Sequence, residues 1–322
     1  MHNQRLLIGS HAPFFHNGDS VLKKNLNFIL ALLPAAIYGI WLYGMPALRV
    51  ITFSVGCAIF WELIISLIMR RPIPIGDGSA ALTGLLFGMM LPATAPFWLI
   101  LVGTFIAIVV AKQIYGGLGC NPFNPPLVAM AMILLSWKNI VDFNAALVNY
   151  DFNFNMFYPL TAVKNFGASA VSNYNLHELF MGKQAGAIGA VFGLGLLIGG
   201  IYLIIRGYIK WEISVSFLLG VYISAYLFHI HNPDKYAGPL FHLVTGYTLL
   251  GAFFLAPEDS SSPVNLIPKI IFGLGAGILI ILIRNIGSFV DGTVFAILIM
   301  NLANPMFDKI RPKAWGRGLE NA

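Results

Sequence analysis

Residues 76–126 read GDGSAALTGLLFGMMLPATAPFWLILVGTFIAIVVAKQIYGGLGCNPFNPP. Glycine, proline and amide residues break an otherwise oily run, and those breaks narrow the possible folds more than any other feature. A backbone exposed to lipid cannot leave N–H and C=O groups unpaired. GDGS, LTG, LPATAP and GGLGCNPFNPP are therefore tolerable only where protein, water or a ligand satisfies them. The segment points to a site inside a membrane domain.

The rest of the chain agrees. It is 58% hydrophobic and 10% charged, with mean hydropathy +0.79, against roughly one quarter charged in soluble domains. About ten apolar segments can be marked, near 28–45, 49–69, 79–92, 96–115, 122–137, 186–206, 213–230, 238–256, 268–286 and 290–308. The reading is an all-α polytopic membrane protein. Segments 79–92 and 122–137 fall short of the ~20 residues a spanning helix needs, so they read as half-helices or kinked spans. The amino terminus shows no apolar stretch followed by a small-residue cleavage site, so no removable signal is read there. Cys57 and Cys120 are the only cysteines, too few for one chain to hold an iron–sulfur cluster. The net charge of +6 belongs to cytoplasmic loops rather than to nucleic-acid binding.

With the amino terminus inside, thirteen of the nineteen Lys and Arg fall on the cytoplasmic side and six, namely Arg49, Lys138, Lys164, Lys183, Lys235 and Arg284, fall outside. That split predicts both termini in the cytoplasm and an even number of spans. The organisation is then a cytoplasmic segment 1–25, a membrane domain 26–308 with an outer loop 138–185, and a basic cytoplasmic tail 309–322. A weak echo suggests two halves: LTGLLFGMMLPATAP (82–96) resembles VTGYTLLGAFFLAPEDSSSP (244–263), and each precedes an apolar helix ending in a basic residue, Lys112 or Arg284. Five spans per half would make the repeats inverted, with a site at their interface. Shared Leu/Gly/Pro composition would give the same echo.

In order along the chain come ALLPAAIYGIWLYG (31–44), DGSAALTGLLFGMMLP (77–92), AKQIYGGLGCNPFNPP (111–126), LFMGKQAGAIG (179–189), GAFFLAPEDSSSP (251–263) and IRNIGSFVDGTVFAILIMNLANPMFD (283–308). Together they resemble the RnfD/NqrB family of membrane subunits from ion-translocating electron-transport complexes, RnfD more than NqrB because the chain is short. GGLGxNPFNP is the most specific piece. The resemblance implies that this turn packs against other membrane subunits along the electron path. Read physically, Gly116, Gly117 and Gly119 permit close backbone approach, and Asn121, Pro122, Asn124 and Pro125 fix a non-helical turn. A tight cap between two spans explains them as well.

Two departures from the family stand out. Its covalent FMN is attached by a phosphoester to the Thr of an (S/T)(G/S)ATPL stretch; here Tyr158 takes that place, followed by Pro159 and Leu160. The family's GxxGETS element reads Gly186, Ala187, Ile188, Gly189, Ala190, Val191, Phe192, so its polar half is gone. Covalent flavinylation is not expected, with Thr161 the only displaced acceptor to weigh. Non-covalent FMN or riboflavin stays open, with Tyr158, Pro159, Leu160, Thr161, Gly186 and Gly189 as the candidate residues. The aromatics Tyr150, Phe152, Phe154 and Phe157 either line such a slot or form an interfacial belt.

Three carboxylates are candidates for an ion path: Asp77 before the first broken segment, and Glu258 and Asp259 at the equivalent place in the second half. There the family carries a TD pair where this chain has Pro257 and Glu258. Carboxylates with unpaired carbonyls at helix breaks hold Na⁺ or relay protons in membrane proteins, and ordinary helix caps would place them there too. Glu62, eight residues before Arg70, reads as a snorkelling or paired carboxylate. No Walker loop, zinc-ligand spacing or serine triad is present, and no self-contained catalytic site is expected. The resemblance implies a subunit of an inner-membrane translocase that couples electron transfer from a low-potential carrier such as ferredoxin to Na⁺ or H⁺ movement, working with other membrane and peripheral subunits. A small-solute transporter and a flavin-free structural subunit are the competing readings.

Overall fold

The computed structural model describes residues 20–71, 74–146, 150, 152 and 154–310. Most of the predicted segment 1–25 and of the tail 309–322 lies outside these residues. The first half holds α1 (Val21–Tyr43), α2 (Met45–Ile68), α3 (Ser79–Met90), α4 (Phe97–Gln113) and α5 (Pro125–Ser136). The connection between the halves carries the short α6 (Phe143–Ala146), α7 (Pro159–Phe166) and α8 (Leu176–Phe180). The second half holds α9 (Gly193–Ile205), α10 (Trp211–His231), α11 (Pro239–Val244), α12 (Thr248–Leu250), α13 (Leu266–Asn285) and α14 (Thr293–Phe307). The protein is thus a helical polytopic membrane protein, as its composition required.

Local chemistry sets the boundaries. Ser20 accepts from the Lys23 amide at 3.1 Å to cap α1, which starts seven residues earlier than its apolar segment because Lys23, Lys24 and Asn25 continue the helix. Gly44, at φ 68°, turns α1 into α2. Pro159 occupies the first turn of α7, where no amide partner is needed. The segment near 186–206 becomes helical only from Gly193, because 186–192 runs irregularly against the end of α3, Gly189 N donating to Met89 O at 2.8 Å and Ile188 N to Leu91 O at 3.2 Å. The broken backbone is satisfied by protein, as its depth demands.

Among the described residues, four helices, α1, α2, α10 and α13, are long and apolar enough to cross a membrane. α3, at 12 residues, rises only about 18 Å, well short of a hydrocarbon core about 30 Å thick. α11 and α12 form a second broken element, parted at Thr245 and Gly246 and then continued through Gly251–Leu255 as a π-helix, with Ala256 N bonded to Gly251 O at 2.8 Å. The end of α4 widens in the same way over Ile106–Gln113, where Ile114 N reaches Val109 O at 3.0 Å. Such π-turns often mark functional positions. The halves meet where α1 packs on α9, through Ala31, Ala35, Gly195 and Gly199, and where α5 packs on α14.

Candidate functional site

At one end of the interface between halves lies a cavity of about 420 Å³. The start of α1 supplies Lys24 and Asn25, the start of α3 supplies Ser79, and α4 supplies Lys112. The NPFNPP turn contributes Asn121 and Asn124, and the second break contributes Glu258, Asp259 and Ser260. Asn121 is 4% exposed; its amide donates to Phe123 O at 3.0 Å and, across the halves, to Glu258 Oε1 at 2.8 Å. Ser260 and Ser261 donate to the same carboxylate at 3.0 and 2.6 Å. Asn124 donates to Leu255 O at 2.9 Å, closing a carbonyl of the π-turn. Lys24 pairs with Asp259 at the rim. Burial pushes the Glu258 carboxyl above its ordinary value, against the hydrogen bonds from Ser261, Asn121 and Ser260 and the charge of Lys24. A carboxyl so placed keeps its proton to higher pH than one left in bulk water.

The structure therefore joins Glu258 and Asp259 in one cavity and leaves Asp77 beside it. Asp77 Oδ1 accepts from the Ser79 amide at 2.7 Å, an N-terminal cap of α3, while its carbonyl accepts from Asn25 at 2.7 Å. Sequence reasoning missed Lys112, although a lysine within an apolar helix was the available signal.

Two buried ion pairs involve basic residues at helix ends, Lys112 in the first half and Arg284 in the second. In the first, Lys112 Nζ reaches Glu62 Oε1 and Ser79 Oγ, each at 2.5 Å, with side chains 4% and 0% exposed for Lys112 and Glu62. Glu62 is thus paired, but across to α4 rather than along its own helix to Arg70, because α2 packs beside α4 and turns the carboxylate inward. Gln113 adds a bond at 3.2 Å, and Glu62 Oε2 has no protein partner. In the second pair, Arg284 NH2 meets Asp291 Oδ1 at 3.0 Å. Asp291 also accepts from Tyr247 N at 2.7 Å, Thr293 N at 3.0 Å and Thr293 Oγ1 at 2.7 Å. Arg284 donates further to His242 O, Thr245 O and Thr248 Oγ1 at 3.0, 3.3 and 2.9 Å. It stitches together the carbonyls that the break after α11 leaves unpaired.

Away from that cavity, Tyr158 is 4% exposed and precedes α7, its amide donating to Asn144 Oδ1 at 2.8 Å. Its ring fills the crevice formed by Gln184–Ala187, Ala190, Val191, Gly246 and Tyr247, with no room there for a water-sized group. Gly186 lies against that ring and is held by the Tyr43 hydroxyl, which donates to Gly186 O at 2.9 Å. Gly189 instead faces Met89, whose side chain leaves no space for a Cβ. Leu160 packs toward Gly246, and Pro159 stays in the first turn of α7. Thr161 lines a neighbouring cavity of about 190 Å³ together with Tyr158, Asp142, Asn144, Tyr247 and Asp291. Tyr158 is thus common to the crevice that holds Gly186 and to the cavity that holds Thr161, whereas Gly189 lines neither, and a buried phenol at this position does not fit a phosphoester-anchored flavin.

Comparison with known proteins bears on the whole chain. The family described as NQR2, RnfD, RnfE matches residues 8–316. The chain is 35% identical over 309 residues to the D-type subunit of the Na(+)-translocating ferredoxin:NAD(+) oxidoreductase complex of Acetobacterium woodii, covering 95% of this chain and 94% of that one. It is 35% identical over 312 residues to the D-type subunit of the proton-translocating ferredoxin:NAD(+) oxidoreductase complex of Clostridium ljungdahlii, covering 93% of each. To the D-type subunit of the ion-translocating oxidoreductase complex of Pectobacterium atrosepticum it is 32% identical over 342 residues, covering 95% and 97%. This chain belongs to the NQR2, RnfD, RnfE family.

Proposed function

We propose that the chain is the D-type membrane subunit of an ion-translocating oxidoreductase complex that couples ferredoxin-to-NAD electron transfer to Na⁺ or H⁺ movement. The observation that carries this reading is near full-length similarity to the D-type subunits of complexes with that activity. The electron chemistry belongs to the redox groups of the assembly, and this chain contributes scaffold and part of the ion path. The inner cavity supports the second role, since a carboxylate with three side-chain donors sits where two broken elements meet. A tagged chain should copurify with other membrane and peripheral subunits from the inner membrane. Inverted vesicles from a strain lacking it should lose ferredoxin-dependent NAD reduction together with ion uptake, and recover both on complementation. Normal coupled activity in the deletion strain would remove the proposal.

The same reading places both termini in the cytoplasm and residues 138–185 outside, with the halves as inverted repeats. Cys120 is exposed and Cys57 buried, which supplies an internal reporter. Native Cys120 should resist an impermeant thiol reagent in intact cells and react after permeabilisation. Ser169→Cys in a Cys120→Ser background should react in intact cells. The reverse pattern would invert every side assignment.

The filled crevice at Tyr158 favours a subunit without covalent flavin. The neighbouring cavity that holds Thr161, at about 190 Å³, is also below the about 300–1,000 Å³ usual for organic ligands, so non-covalent FMN or riboflavin gains no support there. The denatured polypeptide, taken from cells with an active flavin transferase, should show no fluorescence under ultraviolet light after electrophoresis. Fluorescence that persists in Thr161→Ala and disappears in Tyr158→Phe would instead make the phenol the anchor.

A further inference from the structure

A second cavity, of about 240 Å³, lies between α7, the turn joining α10 to α11, α11 and the end of α13, on the side that the proposed topology puts outside. Its ionisable lining is all basic apart from the Tyr236 phenol: Lys164, Lys235, His242 and Arg284. No carboxylate lines it. Asp291, the acid nearest to Arg284, is engaged by Arg284, Tyr247 and Thr293.

The polar groups here are also short of partners. His242 is 2% exposed, yet neither ring nitrogen meets a protein partner, and the Asn285 Nδ2 amide beside it has none either. Buried donors are normally satisfied, and an imidazole and an amide left open in the same wall imply a partner from outside the chain. Lys164 places two of its three N–H groups on Gly287 O, at 2.7 Å, and Phe289 O, at 2.5 Å. The third remains for the cavity. Burial and the charge of Lys138 hold the Lys164 ammonium below its ordinary range, an imbalance that a negative ligand would relieve. Arg284 directs most of its donors to His242 O, Thr245 O, Thr248 and Asp291, so it chiefly backs the wall of the cavity.

We propose that this cavity is an oxyanion site that takes a phosphate group, bound by Lys235, the open N–H of Lys164, Asn285 Nδ2 and an N–H of His242. A group with three or more acceptor oxygens matches donors converging from four elements, whereas a metal cation would find no anionic ligand. Two sources share this chemistry: the headgroup of an outer-leaflet phospholipid, and a soluble phosphate or phosphomonoester. The proposal is independent of the ion path.

The test uses the full chain purified in detergent. Native mass spectrometry reads retained phospholipid, and thermal unfolding compares inorganic phosphate with chloride at matched ionic strength, before and after delipidation. A lipid headgroup predicts one retained phospholipid, with phosphate stabilising only the delipidated protein. A soluble ligand predicts saturable stabilisation by phosphate and no retained lipid. Lys235 is exposed, so Lys235→Glu should keep the unliganded melting temperature while weakening phosphate binding by about tenfold or more, the effect of losing a charged hydrogen bond. Asn285→Asp should act in the same direction. Stabilisation no greater with phosphate than with chloride, together with no retained phospholipid, would show that water alone fills the cavity. Binding unchanged in both variants would place it elsewhere, and either result overturns the proposal.

Discussion

Asp291→Asn is expected to cost about 3–5 kcal/mol of stability, the usual penalty for stranding one member of a buried ion pair, and to reduce the amount of folded protein recovered from membranes. Arg284 is 4% exposed and would lose its counter-charge while still ordering three acceptors around the break between α11 and α12. Arg284→Met should be as harmful, because it frees those acceptors and leaves Asp291 alone. Combining Arg284→Met with Asp291→Leu should recover part of the loss, since two apolar groups bury more readily than one charge. Gly246→Ala attacks the same cluster through space: Gly246 has φ 67°, and an added Cβ would strike the Asp291 carboxylate and come within 2.8 Å of Arg284 NH2. Burial alone would raise the Asp291 carboxyl, but Arg284 and the Tyr247 and Thr293 donors outweigh it and hold the group below its ordinary value of 3.8. A depressed carboxyl contributes its full stability above the unfolded value and loses it as pH falls through the lower folded one. Unfolding in detergent should therefore show the wild type weakening below about pH 4, with Asp291→Asn lacking that component. A variant as stable as wild type at pH 7 would mean that the pair does not hold the break.

The membrane class and the broken segments were legible because composition and glycine–proline punctuation act locally. Partners were not. Glu62 has Arg70 eight residues on, yet its counter-ion is Lys112, fifty residues away; helical periodicity identifies neighbours on one helix and is silent about the helix packed beside it. Asp291 was passed over inside GSFVDGT, where a turn explains an aspartate without invoking a buried arginine. Both π-turns were equally unreadable, since adding one residue to a hydrogen-bonded ring leaves no trace in an apolar sequence such as IAIVVAKQ or GAFFL. The outer candidates fared differently. The exchange of Thr for Tyr158 was plain in the sequence, but only packing shows that the new ring occupies the crevice between Gly186 and Tyr247.

Glu258→Gln should separate ion movement from assembly. Glutamine keeps the length of the side chain and an acceptor for Asn121 and Ser260, so the two halves should still join, but the charge that a cation or proton would meet in the cavity is gone. With hydrogen bonds to a charged group worth about 1.5–3 kcal/mol, ion uptake by inverted vesicles should fall by about tenfold or more while copurification with the other subunits stays near wild type. Asp77→Asn is the internal comparison. Its side chain caps α3 by accepting from Ser79 N and does not line the cavity, and asparagine caps a helix as well as aspartate, so coupled transport should change little. Asn121→Ala, which removes the bridge from the first half to Glu258, should resemble Glu258→Gln if the two act together, and the double variant should then be no worse than either alone. If Glu258→Gln transports normally while Asp77→Asn does not, the route for ions runs along the start of α3 rather than through the cavity between the halves.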